Sequence, residues 1–304
     1  MIILLSASPC IHSNDLPQME PAALISTRAF SPFGIIALFL VTFCAFWVRA
    51  APALSVESFE SLVRFDPEST LIINHSAWTT FLGSYVTSGA DGLNRVAYNR
   101  ITAEDKQGLE AYIHTLEAID VPRYNRNEQF AFWANLYNAV TVNLVIDAYP
   151  VTSIRKIKSG AFSFGPWAKK RIQVGRHALS LDDVEHGILR ASWRDPRIHY
   201  ALNCASVSCP NLALQAYSGQ TLGHALDASA RAYINHPRGA QIEQGQLTVS
   251  SIYEWYVQDF GNSDQGVIQH LQQFAEGAFA QELASVQKIS GHGYDWSLND
   301  MTGQ

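Results

Sequence analysis

The chain has 304 residues and a formal net charge of −6; 47% of the residues are hydrophobic, 11% aromatic and 16% charged. That composition supports a real core and excludes a disordered or low-complexity protein. No stripe of lysine and arginine offers phosphate neutralisation, so nucleic acid is excluded as an expected partner.

Residues 1–53 have the pattern of a signal peptide region. Arg28 precedes an uncharged stretch from Ala29 to Val48 that contains the apolar run "GIIALFLVTFCAFWV", and small residues follow in "VRAAPALS". A basic flank, an apolar run and a small-residue exit predict export, with cleavage after Ala50 or Ala53. Met19 is a candidate true start. The alternative is an uncleaved anchor, since a span needs about 20 apolar residues; only in that case is a membrane expected as a partner. Export makes the protein periplasmic or secreted and places it where disulfides persist. Cleavage removes Cys10 and Cys44, leaving Cys204 and Cys209 as the remaining cysteines.

Residues 54–304 read as one domain. "SVESFESLVRF" is expected to open with a short helix, and "INHSAWTTFLGSYV" has apolar residues at helical spacing. "TAEDKQGLEAYIHTLEAI" predicts an amphipathic helix capped by Thr102, with a stripe of Leu109, Tyr112, Ile113 and Leu116. "NEQFAFWANLYNAVTVNLVIDAYP" predicts a long helix from an Asn127 cap to Pro150, apolar nearly all round and therefore central. Asn135 and Asn138 share one face of it. They either tie a neighbouring loop to the core or point into a polar site, and the first role is favoured for buried asparagines.

"IQV" and "HALSL" flank Gly175-Arg176 and predict an antiparallel hairpin. Ser180 is expected to cap the next helix, which carries Asp182, Asp183, Glu185 and His186. "RIHYALN" alternates and is read as a strand over 197–203. "LGHALDASARAYI", "SSIYEWYVQDF" and "QGVIQHLQQFA" are read as helices. The second of these follows a short strand, "QLTV", and stops at Gly261. Helices outnumber strands and no βαβ winding is evident, which predicts an α+β fold: helix-rich, with a small antiparallel sheet.

In order, "FAFWANLYNAVTV", "YPVTSIRKI", "LSLDDVEHGILR", "DPRIHYALNCASVSCPNL", "YEWYVQDFG" and "YDWSLND" resemble the domain of unknown function 547 family over residues 72–300. The resemblance implies an α+β domain with a cysteine-hydrolase-like activity. The family pattern keeps the cysteine matching Cys204 more often than that matching Cys209, where plant-type members often carry serine.

The chemistry centres on "HYALNCASVSCPNL". Four residues separate Cys204 from Cys209, a spacing that a turn can close into a disulfide. Zinc is the weakest reading: Cys204, Cys209, His199 and His186 do not follow the paired close spacings of structural sites. No metal or cofactor is expected. A reactive thiol needs a thiolate, a base and a group to orient the base. On a strand, His199 would lie about 16 Å from Cys204 and face the other way, so it is expected to pack rather than catalyse. His186 is the favoured base. Asp183, Asn138, Asn135 or Asp295 could orient it, but the adjacent Glu185 could not, because neighbouring helical side chains diverge by about 100°. A pair of His292 with Asp295 ranks lower. Trp133, Asn135, Glu185 and His199 are the candidate binding residues.

Two functions are expected from different classes. One is a thiol-dependent hydrolase or acyl transferase acting on a small or peptide-like amide or ester of the cell envelope. The other is a non-catalytic exported binding domain held by a Cys204–Cys209 disulfide.

Overall fold

The computed structural model describes residues 59–158, 160 and 165–301. The expected signal peptide region, with Met19, Cys10, Cys44 and both cleavage positions, lies outside the described residues. Among the described residues, no helix is long and apolar enough to cross a membrane.

The fold is built around one helix. Four helices open the described chain: α1 (Glu60–Val63), α2 (Ser76–Tyr85), α3 (Ala103–Glu117) and α4 (Arg126–Ala148). The first turn of α3 is capped by Thr102, whose hydroxyl accepts the Asp105 N–H at 3.1 Å, and the expected stripe of Leu109, Tyr112, Ile113 and Leu116 is buried. The start of α4 differs from expectation. Asn125 is the cap, accepting the Glu128 N–H at 3.0 Å, because an asparagine followed three residues later by glutamate presents the capping-box spacing. From Glu128 to Val142 every residue of α4 is buried. The buried Glu128 carboxylate is satisfied by the N–H groups of Ile73 at 3.0 Å and Gly219 at 2.6 Å.

Among the described residues, strands form three small sheets. The first pairs β1 (Val86–Ser88) with β2 (Asn94–Val96), and the second pairs β3 (Ile172–Val174) with β4 (His177–Leu179). The second pair is the expected hairpin, and Gly175 at φ +56° supplies the left-handed turn residue such a connection needs. The third sheet joins β5 (Ala240–Glu243), β6 (Gln246–Ser250) and β7 (Ile289–Gly293). Its β6–β7 pairing is parallel, whereas the sequence pattern predicts only antiparallel pairing. The class is α+β, as expected.

Two expected elements are corrected. The stretch 250–260 is not one helix: it breaks at Tyr256 (ψ 29°) between Ile252–Trp255 and the tighter turn Val257–Phe260, which Gly261 ends at φ +89°. The strand expected over 197–203 is a helical turn, Ile198–Ala201. Asp195 and Pro196 begin it: the Ile198 and His199 N–H groups donate to the Asp195 and Pro196 carbonyls at 3.1 and 3.3 Å. Alternation misleads here because the turn has no solvent face. Ile198, Ala201 and Leu202 enter the core around α4, while Tyr200 enters a second cluster with Tyr233, Tyr253, Ile268 and Leu271.

Candidate functional site

Cys204 leaves the turn Ile198–Ala201 through an extended connection that α4 holds in place. The Asn138 amide donates to the Ala201 carbonyl at 2.9 Å and accepts the Asn203 N–H at 2.8 Å. The Asn203 side chain spans the loop ahead, accepting the Ala205 N–H at 2.9 Å and donating to the Pro210 carbonyl at 2.7 Å. The loop reverses at Ala205, which is fully buried with φ +57°, a region that costs an L-residue about 1–2 kcal/mol. The chain's last segment straps the same loop: Val207 and Ser208 donate to the carbonyls of Ser297 and Asp295 at 2.8 and 3.1 Å, and Asn299 donates to that of Ala205 at 3.1 Å.

Cys204 is half-buried, and its sulfur is surrounded by donors. Cys209 Sγ lies at 2.8 Å, the Tyr294 hydroxyl at 3.1 Å and the Ser206 hydroxyl at 3.3 Å. Both cysteines are free, and their separation exceeds the about 2.05 Å of a disulfide bond, so the expected bridge is not formed. Cys209 accepts the Cys204 N–H at 2.8 Å. Its own S–H faces Cys204 Sγ more closely than the Leu202 carbonyl, which is 3.8 Å away. The Ser206 hydroxyl is also 2.9 Å from Tyr294, so its one proton serves either Cys204 or the oxygen that in turn donates to Cys204.

These contacts divide the thiols. The Cys209 hydrogen bond holds the Cys204 pKa below its ordinary value; burial opposes this, and Ser206 and Tyr294 add to the lowering. Burial pushes the Cys209 thiol well up, and the facing Cys204 pushes it further. Burial and the Cys204 charge also hold the Tyr294 hydroxyl well above its usual range, so it remains a donor.

A second constellation surrounds Glu185. Tyr137 donates to its carboxylate at 3.1 Å, and the Nδ1 atoms of His186 and His199 lie 3.9 and 4.0 Å from it. His199 donates from Nε2 to Asp259 at 2.7 Å and stacks on Tyr256 with ring centroids 4.3 Å apart. The same Asp259 oxygen accepts from Arg190 Nε at 2.6 Å. Burial opposes ionisation of Asp259, but the hydrogen bonds and charges of His199 and Arg190 prevail and hold its pKa at about 2. The Glu185 charge is felt at Cys204, where it raises the pKa.

Residues 121–234 match the family model described as a protein of unknown function, DUF547. Residues 121–234 are a DUF547 domain. No curated protein and no solved structure matches it. The DUF547 match contains α4, Glu185, His186, His199 and both cysteines, and it ends before Asp259 and Tyr294.

Within this chain the expected site residues divide. Cys204 and Cys209 meet, and Glu185 lies beside both His186 and His199. His186 pairs through Nδ1 with Arg190 at 3.1 Å and faces Tyr256, with ring centroids 5.8 Å apart. The hydrogen bonds of Cys204 Sγ among the described residues go to Cys209, Ser206 and Tyr294, none of them a histidine. Asn138 spends its amide on backbone, as does Asn135, which donates to the Tyr217 carbonyl at 2.8 Å and accepts its N–H at 3.0 Å. Both therefore take the structural role weighed for them. Asp183 is bound by Lys170 and Ser180, and the exposed Asp295 accepts the Ser297 N–H at 2.8 Å. Trp133 is buried against Phe132, edge to face at 4.7 Å.

Sequence reasoning passes over Tyr294, Ser206, Tyr256 and Asp259. Two signals were available. Tyr294 opens "YDWSLND", and "YEWYVQDFG" contains both Tyr256 and Asp259.

Proposed function

We propose that this protein is a thiol-dependent hydrolase or acyl transferase with Cys204 as its nucleophile. The observation that carries this reading is the set of three donors around the sulfur of half-buried Cys204: Cys209, Tyr294 and Ser206 lie within 3.3 Å of it. Such donors stabilise a thiolate before substrate arrives, so attack does not require a histidine to remove the thiol proton during the reaction. The thiolate adds to the carbonyl carbon of an ester or amide. As the intermediate collapses, the carbon–oxygen or carbon–nitrogen bond breaks, the leaving group takes up a proton and the acyl group remains as a Cys204 thioester. Water or an acceptor nucleophile then takes the acyl group and restores the thiolate.

We assign the substrate to the cell envelope, as a peptide-like amide or an ester; the support is the apolar run after Arg28 with small residues behind it.

The test is hydrolysis of an activated aryl ester by the wild type and by Cys204→Ala. Loss of turnover in a folded variant supports the reading, and equal turnover refutes it.

A further inference from the structure

We propose that Cys204 and Cys209 also work as a dithiol that reduces a substrate disulfide, with Cys204 attacking and Cys209 resolving. The two sulfurs are unequal in the way this chemistry requires. Cys204 is the more exposed of the two, being half-buried, whereas Cys209 is 3% exposed and closed to an incoming disulfide. Cys209 nevertheless stands 2.8 Å from the sulfur it must attack, so closure needs an approach of only about 0.8 Å to bond length. The loop between them is held by the strap of residues 295–299, and the buried Tyr233 hydroxyl donates to the Ser208 carbonyl at 2.8 Å. The contacts that favour the Cys204 thiolate and keep Cys209 protonated suit an attacking and a resolving thiol respectively.

The exchange has two steps. The Cys204 thiolate attacks one sulfur of a disulfide R–S–S–R′; that bond breaks, R′S⁻ leaves and is protonated by solvent, and a mixed disulfide R–S–S–Cys204 forms. Cys209 then gives up its proton and attacks Cys204 Sγ, expelling RS⁻, which takes up a proton. The protein dithiol is oxidised by two electrons to a Cys204–Cys209 disulfide, and the substrate disulfide is reduced to two thiols. Closing the bridge also withdraws Cys204 from acyl chemistry, so the same disulfide would switch off the acyl reaction.

The substrate is defined by its sulfur–sulfur bond, which either a small molecule or a protein can supply. The experiment therefore has two arms. The full chain is incubated with oxidised glutathione or with a disulfide-linked peptide, quenched with acid, alkylated and mapped by mass spectrometry. The expected product is one peptide that carries Cys204 and Cys209 as an internal disulfide and lacks two hydrogens, with thiol released from the substrate. Reaction in the glutathione arm alone assigns a small disulfide, and reaction in the peptide arm alone assigns a protein disulfide; either supports the proposal. Cys209→Ser, with Cys209→Ala as the alternative if the serine variant does not fold, is expected to stop at a persistent mixed disulfide on Cys204.

Two results would overturn the proposal. One is free alkylation of both thiols in both arms. The other is wild-type oxidation with no mixed disulfide accumulating in either folded Cys209 variant. No acyl substrate enters this assay, so its failure and the failure of ester turnover are separate results.

Discussion

The backbone N–H of Cys204 donates to the Cys209 sulfur at 2.8 Å, and the two sulfurs face each other at the same distance. Burial and the facing Cys204 hold Cys209 as a neutral donor against the opposing pull of that N–H, and the Cys209 hydrogen bond stabilises Cys204 as the charged acceptor.

The first prediction concerns alkylation. The Cys204 pKa is lowered, so its reaction with iodoacetamide should rise with pH at values below those of an ordinary thiol, while Cys209 stays unlabelled in the native state. Cys209→Ala removes the largest stabilising contact and should move the profile up in pH. Tyr294→Phe should move it less. Rates measured across pH with peptide mapping check this, and a wild-type profile matching that of free cysteine would count against it.

Asn138 and Asn135 occupy the same face of α4 and serve different loops. Alanine at either position leaves buried backbone groups unpaired, so each substitution should cost about 2–4 kcal/mol in urea unfolding. Asn138→Ala should also change the Cys204 alkylation rate, because it frees residues 201 and 203. Asn135→Ala should not, since its partner is Tyr217.

Two buried histidines predict sensitivity to acid. Burial lowers the pKa of His75 to about 4, and that of His270 to about 4, where the His199 charge adds to the effect. Both are depressed below the unfolded value of 6.5, so the unfolded chain binds their protons first. Their stabilising contribution is complete above pH 6.5 and is lost as pH falls toward about 4, by up to about 3 kcal/mol per group. Urea midpoints between pH 7 and 4 should fall accordingly, and His270→Gln should flatten part of the slope.

Ala205 carries a methyl group in a left-handed conformation within a filled core. Ala205→Gly should be tolerated within about 1 kcal/mol, because relief of strain offsets the added freedom of the unfolded chain. Ala205→Val should destabilise strongly and abolish Cys204 labelling, since a branched side chain fits neither the backbone nor the space. Thermal melting of the two variants separates these outcomes.

Much of this frame is legible in the sequence where one signal dominates. Thr102, the stripe of Leu109, Tyr112, Ile113 and Leu116, and the Gly175 hairpin each follow from local spacing that tertiary contacts do not override. The turn Ile198–Ala201 is not legible from alternation, because two cores receive its side chains; Asp195 followed by Pro196 was the available helix-start signal. A strand over these residues sets His199 aside, whereas the helical turn places His199 on Asp259 and beside Glu185. Tyr294 could not be assigned to Cys204 by spacing, because the strap that brings it to the thiol joins segments 90 residues apart.

The most direct test of the central claim is capture of the acyl group itself. The protein is mixed with an activated ester, quenched in acid within the first turnover and mapped by mass spectrometry. The expected product is a thioester on Cys204, absent in Cys204→Ala and formed more slowly in Tyr294→Phe. An unmodified Cys204 during full ester turnover, or an acyl group carried by another residue, would contradict it.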